Sequence, residues 1–232
     1  MGTNVTNFVK TAHTLHPYQS KLDFDSTHTR IAAAVKPGAR VLDIGCSDGY
    51  LAGALKKKGC YVAGIDLNPG NVDENLDEFH LADLNEAPFP VDPARFDSIL
   101  MLDVIEHLHE PEAFVARLHN ALGNNRSTEV VATTGNVAFI SVRMSLLFGN
   151  FDYAERGILD RTHTRLFTFA SFRKLMEDAG FEVLDIQGIP APFPLVLGHN
   201  ALAGFMLALN RLLIRLSRGL FSFQILYRLR VK

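Results

Sequence analysis

Residues 45–49 read Gly-Cys-Ser-Asp-Gly, a G-x-S-x-G stretch between an apolar run, RVLDIG, and a helix-forming segment, YLAGALKKK. Three chemistries need a strand–turn–helix of this kind. A nucleophile elbow would use Ser47, with Asp185 and His199 following in the required order. That fold places several strands and an oxyanion loop ahead of the elbow, and the 46 residues before Ser47 hold no such loop. A dinucleotide fingerprint would want glycine at 45, 47 and 50, but Ser47 and Tyr50 occupy two of those places. Asp66, after the next apolar run, suits a ribose, so an NAD(P)-dependent oxidoreductase stays as an alternative.

The third chemistry uses every element. Asp43 closes the first run, and Gly45 and Gly49 let backbone approach a bound molecule with no Cβ in the way. Asp66 can accept two hydrogen bonds from a ribose diol. Asp83-Leu84 offers a carboxylate to an adenine amino group and an apolar wall to its ring. All three acids follow consecutive short strands, and parallel α/β sheets bind ligands at the carboxyl ends of their strands.

The elements that must position these groups alternate along the chain. Strands are expected at RVLDIG, CYVAGIDL, FHLADL, 95–102 and STEVVATTG, with helices over 26–35, about 50–58 and 110–122. Ser26 is the cap candidate of the first helix, and Pro111 stands in the first turn of the third. After Gly135 the rhythm breaks for about 30 residues, longer than an ordinary connection. A helix follows, with Thr168 as its cap and Gly180 as its stop, and FEVLDIQGI and LFSFQILYRLRV are two late strands. The expected fold is one α/β domain over 1–232, Rossmann-like. Its sheet has seven strands, mostly parallel with an antiparallel last strand, and helices on both faces. Residues 1–25 are expected to be an arm or lid, 135–167 an acceptor-covering insertion, and 198–219 an apolar, basic helix.

At this point the chain resembles a family, the class I S-adenosylmethionine-dependent methyltransferases, nearest their small-molecule, ubiquinone-biosynthesis branch. VLDIGCSDGYL is similar to their first motif, VAGIDLNP to their acidic second-strand end, and HLADLNEAPFP to their adenine loop. FDSILMLDVIEHLHEPEAFVARLHNAL and LFTFASFRKLMEDAGFEV are similar to their fourth strand with its helix and to the helix and strand before the terminal hairpin. The family's usual middle glycine is Ser47 here, a small residue that still fits. The resemblance implies S-adenosyl-L-methionine as cofactor. Asp43, Gly45, Cys46 and Gly49 would then line its methionine part, Asp66 and Leu67 its ribose, Asp83 and Leu84 its adenine, and Leu102 and Asp103 its sulfonium. Ser47 would be a loop residue and no nucleophile.

Methyl transfer to a hydroxyl requires removal of a proton, and histidine suits that work near neutral pH. His163, in ILDRTHTRLF within the long insertion, is the expected base, with His107, in DVIEHLHEP, as reserve. Each has a plainer role: His163 in a salt-bridged loop, His107 at a helix start. Arg165 is expected to clamp an anionic acceptor, with Asp160 beside it. Asp103, Glu106 and His107 share i, i+3, i+4 spacing, and some relatives in the resembled branch hold a metal there. Asp103 facing the cofactor is the competing role, and the expectation is no metal. The fifth strand ends Thr134-Gly135-Asn136-Val137, without the proline–aromatic signature of N-methylating relatives, so O-methylation of a small molecule or a sugar- or lipid-linked intermediate is expected. The rival is a non-catalytic nucleoside- or membrane-binding module of the same fold.

Composition narrows partners. Net charge is −2, giving no general attraction to nucleic acid, and Cys46 and Cys60 are too few for a disulfide framework. No apolar leader core opens the chain, so a cytoplasmic location is expected. From Ile186 onward there is no Asp or Glu, while Arg211, Arg215, Arg218, Arg228, Arg230 and Lys232 appear. Leu202, Phe205, Leu209, Leu212, Leu213 and Leu216 recur at helical spacing. The helix over 198–219 is expected to bury this face on the sheet or on a second subunit as a homodimer. Peripheral membrane contact is the alternative.

Overall fold

The structure is a computed structural model that describes residues 22–68, 75–86 and 88–232. Seven strands form its sheet: β1 Arg40–Ile44, β2 Tyr61–Asp66, β3 Glu78–Leu81, β4 Ser98–Leu102, β5 Glu129–Gly135, β6 Phe181–Ile189 and β7 Gln224–Val231. Their order is β3-β2-β1-β4-β5-β7-β6, and β7 alone runs against its neighbours. Chain order reverses between β1 and β4, so the crevice above them is the switch point at which such sheets bind ligands.

The central strands read as unbroken apolar runs because both faces are covered. Leu42, Ile44, Ile65, Ile99, Met101 and Val130 pack against α3 (Pro111–Leu122) and α5 (Phe169–Asp178) through Phe114, Leu118, Phe172 and Met176. Their alternates Val41, Val62, Leu100 and Val131 pack against α1 (Thr27–Ala34) and α2 (Tyr50–Lys56) through Ile31, Leu51 and Leu55. Ser26 and Thr168 each cap their helix through a reciprocal side-chain and backbone pair, as their positions predict.

Two excursions leave the carboxyl edge of the sheet and return to it. One departs after Gly135, forms α4 (Ile140–Leu147), and comes back where Phe167 bridges Asn136. The second departs after Ile189, forms α6 (Phe193–Leu197), α7 (Ala201–Leu216) and α8 (Arg218–Phe221), and re-enters at Gln224, which pairs with both Gly135 and Ile189. The expectation of a helix buried on the sheet is corrected here. Only Ala203, Leu207 and Asn210 of α7 are buried, because Asn210 sits on the inner line, where it accepts from Ala191 N and donates to Phe221 O. That leaves the leucine stripe facing outward. Of the expected arm, residues 1–21 lie outside the described residues. Asp25 holds Arg30 of α1 and Arg211 of α7.

Candidate active site

The loop after β1 adopts a conformation that few side chains tolerate. Gly45, Ser47 and Gly49 have φ of 75°, 52° and 78°. Gly45 N and Cys46 N donate to Ile65 O, and Ser47 N donates to Asp66 Oδ2 at 2.8 Å. Asp66 Oδ1 accepts from Asn68 N at 2.9 Å. The carboxylate at the end of β2 thereby ties down the glycine loop, while each oxygen keeps a lone pair for a diol. The left-handed φ of Ser47 explains why glycine is the usual choice there.

Gly45 tolerates a side chain poorly. A Cβ there would collide with Val104 Cγ2, in a backbone conformation already unfavourable for other residues. Gly45→Ala is expected to lower unfolding stability by about 2 kcal/mol or more and to weaken donor binding. Adding Val104→Ala relieves the collision but not the backbone strain, so denaturant titration should show partial recovery.

Beneath the loop Asp43 is buried, and burial, with Asp66 adding to it, pushes its pKa up to about 7. A cationic ligand group near it would restore its charge. Asp83 is held below the usual carboxylate range by Asn85, whose backbone and side-chain nitrogens both donate to Oδ1. Leu84 packs against the core beside it, and Leu67 is exposed. Cys46 lies under Gly64, where burial pushes its thiol above the usual range. At the end of β4, half-buried Leu102 leads into Asp103, whose φ is 56°. Asp103 accepts from Thr133 Oγ1 at 3.0 Å and from Gln224 Nε2, whose own oxygen accepts from Thr27. Strained polar residues of this kind gather at functional sites.

His107 and His163 are brought together. Residues 105–107 form a single 3-10 turn, and the insertion is sewn to it: Thr164 N donates to Glu106 O at 2.8 Å. The two imidazoles meet edge to face, centroids 4.7 Å apart. His163 Nδ1 lies 3.0 Å from Ile158 O, a pure acceptor, so Nδ1 donates there, and Nε2 has no hydrogen-bond partner among the described residues. His107 Nδ1 lies 3.1 Å from Thr162 Oγ1, which donates its own proton to Asp160 Oδ1 at 2.7 Å. Desolvation and then the neighbouring imidazole of His163 hold His107 below the ordinary histidine value.

The Arg165 guanidinium meets Glu112 of α3 at 2.9 Å in an exposed pair and lines the groove between α3 and α5. Asp160 turns its carboxylate onto Thr162 and serves His107 through it. Asp185, bonded to Ile186 N and Gln187, lies on the edge strand β6, with three strands between it and β1, so it forms no triad with Ser47. Asn136 is fully buried, with its amide donating to Gly219 O and Ser222 O, which makes it a brace between the two excursions.

Glu106 is the residue that sequence reasoning placed only in a metal spacing. It is buried with Oε1 accepting from Gly135 N at 3.2 Å, and its Oε2 has no partner among the described residues. Burial, and then Asp103, hold its carboxyl well above the usual range. The native state therefore keeps a proton that the unfolded chain loses above its ordinary pKa of 4.5, and stability falls as pH rises from there toward the raised value. Glu106→Gln should make that fall shallower, Asp43 supplying what remains of it, measured as Tm between about pH 5 and 8. A parallel fall in both proteins would show that Glu106 is ionised in the fold.

A cavity of about 460 Å³ opens at the opposite edge of the sheet, beside Gly38, Asp97, Ser98 and Glu129. Two of the cations lining it are paired, Arg228 with Glu129 and Arg30 with Asp25.

Residues 17–186 match the family model described as "Methyltransferase domain". A ubiquinone biosynthesis O-methyltransferase of Methylococcus capsulatus is 27% identical over 215 residues, which cover 84% of this chain and 79% of that protein. Among solved structures, an S-adenosylmethionine-dependent methyltransferase from Archaeoglobus fulgidus superposes with a TM-score of 0.59 at 19% identity, covering 88% of this chain and 90% of that one. A Burkholderia thailandensis 1,6-didemethyltoxoflavin-N1-methyltransferase with bound S-adenosylhomocysteine gives 0.55 at 18% identity, over 90% and 80%.

Proposed function

The chain belongs to the S-adenosylmethionine-dependent methyltransferase family, and we propose that it methylates an oxygen of a small amphipathic acceptor, with His163 as base. The observation that carries this reading is the pair of imidazoles at the carboxyl edge, each anchored through Nδ1. The site fits the donor. Asp66 suits a ribose diol, ionised Asp83 beside Leu84 suits an aminopurine, and poised Asp43 suits an ammonium group.

When bound, the donor supplies a methyl group on a sulfonium, a strong electrophile. The chain must hold the acceptor in line and take its proton. His163 Nε2 accepts that proton while Ile158 O holds the opposite side of the ring. His107, oriented by Thr162 and Asp160, stands beside it as second base. The Methylococcus relative, named an O-methyltransferase of ubiquinone biosynthesis, supports oxygen as the target. So does Asn136, which is occupied as a brace. Both cysteines are free and buried, which supports a reducing, cytoplasmic setting.

The test is incubation with methyl-labelled donor and a panel of phenols, hydroxylated sugars and amines, followed by mass spectrometry. O-methyl products are expected. Methylated amines alone would overturn the oxygen assignment, and donor binding without any product would favour a module that no longer transfers methyl.

A further inference from the structure

We propose that α4 and α7 form a face that seats on an anionic lipid surface, so that the acceptor cleft opens toward the membrane. This deepens the functional reading and rests on it for the acceptor's chemistry. Both excursions start and end at the carboxyl edge, so the helices they carry lie at the end of the sheet that holds the glycine loop. On α7, Leu202, Phe205, Leu209, Leu212 and Leu216 are 58%, 63%, 38%, 55% and 75% exposed. Their 3-4-3-4 spacing puts them on one face, and the two bonds of Asn210 stop the helix from rolling that face inward. The first excursion exposes a second apolar group, including Leu147 and Phe148, each 73% exposed. An exposed apolar stripe as long as that of α7 marks an interaction site.

Charge selects the occupant. No Asp or Glu occurs from Ile186 to the end. Arg215 makes no ion pair among the described residues, and Arg218 lies over the Phe169 ring at 5.6 Å with no carboxylate. Apolar side chains flanked by unneutralised arginines match the interface of a bilayer bearing anionic headgroups. A second copy would present the same acid-free, arginine-bearing helix, like charge against like. Among the described residues no helix is long and apolar enough to cross a membrane, so the contact is interfacial.

Vesicle co-sedimentation of the full chain tests this, using phosphatidylcholine with and without phosphatidylglycerol, beside S-adenosylhomocysteine titration of the same samples. Binding is expected to the phosphatidylglycerol vesicles, weakening with salt. Leu212→Glu with Leu216→Glu should reduce it about 100-fold or more, and Arg215→Gln about fivefold, with homocysteine-compound affinity unchanged in both as proof of folding. No sedimentation with either vesicle overturns the proposal. So does a dimer in light scattering that the paired glutamates dissolve, since the face would then cover a second copy. Loss of cofactor binding with vesicle binding intact would overturn the functional reading alone.

Discussion

Replacing His163 by alanine lowers kcat by about 10²- to 10⁴-fold, the usual range for a positioned base, and leaves donor affinity as it was. The reason is local. His163 touches the fold through Ile158 O and the edge of His107, and it makes no described contact with the loop after β1. Turnover is read as S-adenosylhomocysteine release with a hydroxylated acceptor, and affinity by calorimetry. If kcat and donor affinity fall together, His163 is a loop brace. His107→Ala should cost less, since Thr162 and Asp160 remain to order the insertion. The acid limb of the pH–rate profile carries the second signature. His107 is held below 6.5, so its neutral form, and any activity that needs it, persists to lower pH than an ordinary histidine allows.

Asp66→Ala weakens S-adenosylhomocysteine binding by about 1.5–3 kcal/mol, the range for a charged hydrogen-bonding group, or roughly 10- to 150-fold. Two losses combine. The carboxylate no longer meets the ribose, and Ser47 N and Asn68 N lose the acceptor that shapes the loop. Asp66→Asn separates them, because the amide oxygen can still accept one backbone bond while the charge is gone. It should fall between wild type and alanine. Affinity unchanged by Asp66→Ala would remove this residue from the cofactor site.

Much of this was legible in the sequence, for physical reasons that differ by element. A strand covered on both faces must be apolar along its length, so RVLDI and YVAGID announce themselves, and an acid at the end of each stands out. Ser26 and Thr168 are legible because capping is local. The pairing of Arg165 was not legible because its partner, Glu112, is 53 residues away, and an exposed arginine reads the same whether paired or free. The burial of Glu106 belongs to the packing of β5 and the insertion around a single 3-10 turn, which no spacing in DVIEHL encodes. The periodicity of α7 was visible, and its direction was not. An apolar stripe is ordinarily the inner face, and only the tertiary bonds of Asn210 reverse it.

The measurement closest to the central claim is a calorimetric titration of the wild-type protein with S-adenosylhomocysteine, with NAD and NADP titrated in parallel. Micromolar binding of the homocysteine compound alone is the expected result, and it would identify the loop at Gly45–Gly49 with Asp66 as a methyl-donor cradle. Uptake of a nicotinamide cofactor without affinity for the homocysteine compound would contradict the account at its base.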